Sequence, residues 1–406
     1  MRICHIITRL ILGGAQENTL LSCEAQHAAG HDVTLITGPA LGPEGELLTR
    51  AHSGGYRVVE LPAMRREIHP LRDMKTLRRL QTLLAEIAPD IVHTHSSKAG
   101  ILGRFVASRL RRRPELRGMK IVHTIHGLPF FRYQSKLKNF LFTSFEKSAA
   151  KHCDAIVCVA DAMTTQALAA GIGQPKLYST IYSGMEVQPF LDAGTSDDTR
   201  AAFRKKHKID DDKILVTQVS RLAEHKGHDD LLAALEQLAN MPDTDHIRFC
   251  FVGDGHWRER IEQYAEKLQL KNRILFTGLL PPSNIPAVMA GTDILVHASY
   301  REGLARTLPQ AMLTGTPVIS YDVDGAREVV NEQTGILLPS PHALLPHDRS
   351  IAFATAIAEL AADPSRRAAM GAAGRELCRE RFDYRTMASQ LETLYRVLLD
   401  DEGKSQ

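Results

Sequence analysis

Short apolar runs separated by longer amphipathic segments constrain this chain more than any other feature. In the first half the runs read as strands at residues 3–8, 33–37, 57–61, 91–94, 121–124, 155–159 and 178–182, and in the second at 214–219, 248–252, 274–277, 294–297 and 318–321. Strands alternating with helical patterns mean parallel βαβ units with helices on both sheet faces. The expected class is therefore α/β, with doubly wound parallel sheets. A length of 406 residues accommodates two such domains,. The expected division is 1–185, 186–383 and a final helical segment 384–406. The polar, acidic stretch 192–212 reads as the linker into the second domain, and 351–399 reads as three helical patterns. No internal repeat is evident.

In such sheets ligands bind beyond the carboxyl ends of the strands, so the residues there are the candidates. The stretch 293–330 runs strand, polar loop, helix, Gly-Thr-Pro turn, strand, short helix. Pro309 is tolerated only in a first helical turn, so the helix is expected to start just after Gly303 and to cover about 306–313. Free amides at that point, with Gly303, Leu304 and Ala305 close to the backbone of a ligand, make an anion site. Glu302 lies beside it, and Gln310 eight residues on, suited to a polyol and a ribose. The segment 220–227, SRLAEHKG, puts Arg221 and Lys226 on one loop after a strand, where both can meet one diphosphate,. Gly253 and Gly278 mark two further strand ends.

In the first half, Gly13 and Gly14 can bring amides against a phosphate, although the G-x-G-x-x-G dinucleotide pattern is absent. His93 and His95 read as facing opposite sides of a strand and so as a poor metal pair. Ser96 or Ser97 reads as a helix cap, and His95, Ser97 and Lys98 as lining an acceptor side. His126 precedes Gly127 at the end of the fifth strand. The link Tyr182-Ser183-Gly184-Met185-Glu186 offers a glycine for the backbone angles of an interdomain crossing.

These segments resemble the retaining family 4 glycosyltransferases. Glu302-Gly303 and Gly315-Thr316-Pro317-Val318-Ile319 match that family's E-x7-E segment, with Leu304-Ala305 where Phe-Gly is common and Gln310 where the second Glu is expected. The resemblance implies the GT-B fold: two Rossmann-like domains facing a cleft, the C-terminal helix crossing back. It implies that Arg221 and Lys226 neutralise the leaving diphosphate, and that the Gly-Gly-Ala loop of Gly13 and Gly14 closes over the donor. By the same resemblance Glu302 and His126 orient the sugar, His126 near its C6 hydroxyl, and Gly253, Gly278 and Leu279 shape the nucleotide pocket. Together with the named residues it implies a retaining transferase that uses a UDP- or GDP-sugar. The acceptor would be a sugar or a lipid-linked group facing the cytoplasm. A catalytically weak nucleotide-sugar-binding accessory protein, favoured by Gln310, or a GT-B epimerase, is the alternative.

The composition is that of a soluble globular protein, 24% charged and 44% hydrophobic,. Residues 1–185 carry 24 Lys+Arg against 14 Asp+Glu, and residues 186–406 carry 26 against 33. An anionic partner would therefore face the first half. The stretch from Arg104 to Lys120 holds seven basic residues and one acid, with aromatics following at 130–142. That pattern suits an anionic membrane surface. Nucleic acid is not expected. Six cysteines show no metal spacing and suit a reducing cytoplasm. No apolar run is long enough for a membrane span. An Asp-x-Asp metal motif is read as absent, so metal independence is expected, and no cofactor.

Overall fold

The computed structural model describes residues 1–41 and 45–400; the last part of the expected terminal segment, 401–406, lies outside the described residues. Two compact units form, Met1–Met185 with the chain from Phe382 onward, and Glu186–Arg381.

The first unit carries β1 (Arg2–Ile7), β2 (Asp32–Thr37), β3 (Arg57–Glu60), β4 (Ile91–His95), β5 (Lys120–Ile125), β6 (Ala155–Cys158) and β7 (Tyr178–Thr180). They form one parallel sheet in the order β3-β2-β1-β4-β5-β6-β7. The second unit carries β8 (Ile214–Val219), β9 (Ile247–Val252), β10 (Ile274–Gly278), β11 (Ile294–His297), β12 (Val318–Tyr321) and β13 (Gly335–Leu338), again parallel, ordered β10-β9-β8-β11-β12-β13. Helices cover both faces, so the central strands are buried on both sides and read as unbroken apolar runs. Ile3, Cys4, Ile6 and Ile7 are all sealed from solvent, as are Ile294, Leu295 and Val296. Strand order reverses between β1 and β4 and between β8 and β11. At each reversal the neighbouring loops diverge and leave a crevice. Gly13–Gly14 and Ser96–Ser97 follow one pair of strands; Lys226 and Glu302 follow the other.

Several sequence expectations need correction. The stretch 192–212 is not a linker but largely helix, Gln188–Gly194 and Asp197–Lys206. Ser196 caps the second through the Thr199 amide, two aspartates fill its first turn and three basic residues its last,. Its Phe203 and Arg204 are buried, Arg204 against Asp293. Gly184 does not supply an unusual φ. It is required by close approach, since a Cβ there would lie 2.5 Å from the Tyr384 Cα. The returning chain is tied at this point, the Met185 amide donating to the Phe382 carbonyl (2.8 Å) and the Tyr384 amide to that of Met185 (3.1 Å). From there helix Tyr384–Asp400 buries Met387, Leu391 and Tyr395, spaced four apart on one face, in the core of the first unit,. The helix after Glu302 covers Thr307–Leu313, matching the expected span of about 306–313 with Pro309 in its first turn, but its start lies further along than just after Gly303. Finally, β13 at the edge of the second sheet, Gly-Ile-Leu-Leu, escaped the reading.

Candidate active site

In the second unit β8 and β11 are neighbours, so the loops leaving their carboxyl ends run side by side. Gly227 makes this contact possible. Its φ of 72° is left-handed, and a Cβ would come within 2.0 Å of the Ala298 carbonyl oxygen,. The Tyr300 amide donates to the His225 carbonyl at 2.9 Å, joining the loops. The Tyr300 hydroxyl is held in turn by Asp230, which also accepts from Tyr321, both at 2.8 Å. This clamp brings Lys226 Nζ onto Glu302 Oε1. His297 Nε2 lies 3.7 Å from the same oxygen. Burial pushes the Glu302 carboxyl pKa up, but the Lys226 ammonium, His297 and their hydrogen-bonding neighbours outweigh it and the net direction is down,. Burial holds His297 down to about 4, although Glu302 pulls the other way. Its Nδ1 is buried with no hydrogen-bond partner among the described residues. The Glu302 amide donates to Asp324 Oδ2 at 2.5 Å, and the Gly325 amide to the Gly303 carbonyl at 3.2 Å. A fixed carboxylate and ammonium, side by side at a strand-order reversal, can bind a polyol and an anion together.

The neighbouring turns are built from glycines at forced close approach. A Cβ on Gly253 would meet the Ser220 carbonyl oxygen at 2.1 Å, and one on Gly255 that of Leu222 at 2.3 Å. These contacts set the backbone on either side of Arg221, whose side chain is exposed. Gly278 has a φ of 71° with open space around it, and Leu279 beside it is exposed. Leu304 and Ala305 are nearly buried, and Gln310 is half-buried in helix Thr307–Leu313.

Asp-x-Asp strings do occur, at Asp210–Asp212, Asp243–Asp245 and Asp322–Asp324. Asp212 pairs with Lys213, Asp322 with Arg327, and Asp324 accepts from the Glu302 amide, so those three carboxylates have protein partners.

In the first unit a cavity of about 240 Å³ opens at the carboxyl ends of β4 and β5, lined by Ser96, Ser97, His126, Gly127 and others. Gly13 and Gly14 are exposed at the start of helix Gly14–Ala28. Ser96 occupies the cap position of helix Ser97–Leu110 but its hydroxyl pairs with Thr8 (2.8 Å), whose own oxygen accepts the Ala99 amide. Lys98 forms an ion pair with Asp73 at 2.6 Å. His93 and His95 do not face opposite sides. Residues two apart on a strand share a face, and their rings lie 4.3 Å apart, both buried beside His5. Ring nitrogens of His5, His93 and His95 come within 4.8 Å of one another, near the spacing of metal ligands. All six nitrogens are nevertheless taken up by hydrogen bonds, to an amide, two hydroxyls and imidazoles. The three rings read as a hydrogen-bonded cluster.

The basic stretch is also less exposed than its sequence implies. Arg104 is buried against Glu146 (2.6 Å), Lys120 is buried, and Arg111 pairs with Asp154. Arg109, Arg112, Arg113 and Arg117 remain exposed.

The pattern of the family described as "Glycosyl transferases group 1" matches residues 199–377, and that described as "Glycosyl transferase 4-like domain" matches 13–178. The chain belongs to the family 4 glycosyltransferases. It is 29% identical over 340 residues to the UDP-Gal:alpha-D-GlcNAc-diphosphoundecaprenol alpha-1,3-galactosyltransferase of Escherichia coli, covering 83% of this chain and 84% of that one. It is 28% identical over 248 residues to a GDP-mannose-dependent alpha-(1-6)-phosphatidylinositol monomannoside mannosyltransferase of Mycolicibacterium smegmatis, covering 59% and 61%. Among solved structures, Anabaena Alr3699/HepE in complex with UDP superposes with a TM-score of 0.77 at 22% identity, covering 97% of this chain and 99% of that one. The fold of this glycosyltransferase is thus GT-B, two parallel-sheet α/β units. Asp230, Tyr321 and Asp324, which hold the Glu302 loop, were not legible in its sequence. Asp324 follows a strand end, the one signal that could have pointed to it.

Proposed function

We propose that this glycosyltransferase takes a UDP-linked sugar and passes it, with retention at the anomeric carbon, to a lipid-linked acceptor in surface polysaccharide or glycolipid synthesis. The observation that carries this reading is the Lys226–Glu302 pair held at the β8/β11 reversal between glycine-shaped turns. Lys226 and Arg221 meet the diphosphate, and Glu302 orients the sugar hydroxyls. The bond from the anomeric carbon to the diphosphate oxygen breaks, the acceptor oxygen forms its bond on the same face, and the acceptor's proton passes to the leaving phosphate. No metal takes part in this reading. The Escherichia coli relative, named for a UDP-sugar and a diphosphoundecaprenol acceptor, supports both the donor and the acceptor class. A lipid-linked acceptor places the enzyme at a membrane, and no helix among the described residues is long and apolar enough to cross one.

Calorimetric titration with UDP, GDP and ADP, in the wild type and in Arg221→Ala and Lys226→Ala, tests the donor site. The expected outcome is binding of UDP, weakened at least tenfold in either variant, about 1.4 kcal/mol. Absence of binding by all three nucleotides would overturn the reading.

A further inference from the structure

The cavity of about 240 Å³ at the ends of β4 and β5 holds a group that the reading above leaves unused. Glu146, on helix Lys136–Ala150, lines it. The side chains of Glu146 and of Arg104, on helix Ser97–Leu110, are only 6% and 1% exposed. Arg104 Nη2 donates to Glu146 Oε2 at 2.6 Å, and its Nε to the Gly100 carbonyl at 2.9 Å. Glu146 Oε1, by contrast, is buried and has no hydrogen-bond partner among the described residues. A buried carboxylate oxygen without a donor is costly, so it takes one from water or from a ligand. The direction of that bond is fixed, because a guanidinium only donates and the carboxylate beside it only accepts.

The rest of the lining indicates which donor fits. Arg104 balances the charge of Glu146. His123, also in the lining, is neutral, since burial holds its pKa well below the ordinary value,. Neither therefore offers a spare cation to an anionic ligand. Ser97 adds a hydroxyl, and Ile125, Pro129 and Ile172 add apolar wall. A sugar ring has this pattern in reverse, hydroxyls at its edge and C–H groups on its faces.

We propose that this cavity is a subsite for a neutral sugar of the acceptor, with a ring hydroxyl donating to Glu146 Oε1. An acidic sugar would set its own carboxylate against that oxygen, and like charges repel. Assigning the sugar to the acceptor rests on the glycosyltransferase reading and on a lining drawn from the first unit alone; the preference for a neutral polyol does not rest on that reading.

Ligand-observed NMR titration of the full chain tests this, with glucose, galactose and N-acetylglucosamine as neutral probes and glucuronate as the acidic one. The expected result is saturable binding of a neutral sugar, with glucuronate at least tenfold weaker than glucose. In Glu146→Gln the amide oxygen must stay on Arg104, which only donates, so its NH₂ replaces the carboxylate oxygen and the discrimination should fall below about twofold. Arg104→Met with Glu146→Leu removes the acceptor without stranding a charge. That pair should weaken glucose at least tenfold and change UDP affinity by less than about twofold. Failure of every neutral sugar to bind the wild type, glucuronate bound as tightly as glucose, or an unchanged ratio in a folded Glu146→Gln would overturn the proposal; the wild-type ratio decides even if neither variant folds. Calorimetry with UDP-glucose and UDP separates the two sources of the sugar. Their affinity ratio should be the same in wild type and Glu146→Gln, and a changed ratio would give the cavity to the donor's sugar and overturn the acceptor assignment. If UDP binds in no form, the glycosyltransferase reading fails and the sugar result stands apart from it.

Discussion

Lys226 and Glu302 are 76 positions apart, yet each leaves the other in place. Removing Lys226 strands a half-buried carboxylate next to His297, so Lys226→Ala should lower stability as well as donor binding. The sign of the pH dependence follows from the direction of the Glu302 shift. A carboxyl whose folded pKa is depressed contributes fully above its unfolded value, and the contribution is lost as pH falls through the folded one,. Melting temperatures of the wild type should therefore fall in acid, and those of Lys226→Ala should fall less steeply below about pH 4.5. The buried histidines act at higher pH. His5, His228 and His297, each lowered to about 4, are neutral when folded and charge more readily when unfolded. Their stabilisation is complete above the ordinary histidine value and drains away between about pH 6.5 and 4, by up to about 1.4 kcal/mol per group per pH unit. A flat melting profile across that window would contradict the burial of these rings. Gly227→Ala combines a left-handed φ with a backbone collision at Ala298, and urea unfolding should register a loss of about 2 kcal/mol or more,.

Among the elements, helix Lys136–Ala150 presents an unusual face. Leu137, Phe140, Leu141 and Phe145 are all exposed, Phe140 at 68%. Its exposed charges are Lys136, Lys138 and Lys147, while its acid, Glu146, turns inward to Arg104. Apolar side chains ringed by lysines complement an anionic bilayer. The wild type should co-sediment with vesicles containing anionic phospholipid and not with zwitterionic ones, and Phe140→Glu with Leu137→Glu should abolish this without lowering the melting temperature. Of the aromatics at 130–142, which the sequence reading took as exposed, Tyr133 and Phe140 are exposed and Phe130, Phe131 and Phe142 half-buried. The neighbouring basic stretch was misjudged, because a linear count of arginines does not show that Arg104 and Lys120 are buried. The helices at 188–206 were misjudged for a related reason. Their polar composition reads as linker, and only their packing, Phe203 inward and Arg204 on Asp293, makes them part of the second unit.

At the scale of the whole molecule, the first unit is completed by the last residues of the chain. Met387, Leu391 and Tyr395 join Ile3, Ile91 and Val122 in one core cluster. Ending the chain at Arg381 should therefore destabilise the first unit, through loss of that buried face, and leave the second unit's nucleotide affinity nearly unchanged. Limited proteolysis and calorimetry on the truncated chain check both halves of this expectation. The sequence by itself determined the class: periodicity placed nearly every strand, since burial between two helical layers makes a strand apolar throughout. It also placed Lys226 and Glu302 at strand ends, because in parallel sheets chemistry gathers there. Tertiary structure alone decided which residues met. Sheet order, set by pairings between segments distant in the chain, put β8 beside β11 and so Lys226 on Glu302. The strand period of two already puts His93 and His95 on one face; only packing joined them with His5 and Gln26 in a network. Close backbone approach, which leaves only a glycine as its trace, fixed the positions of Gly184 and Gly227.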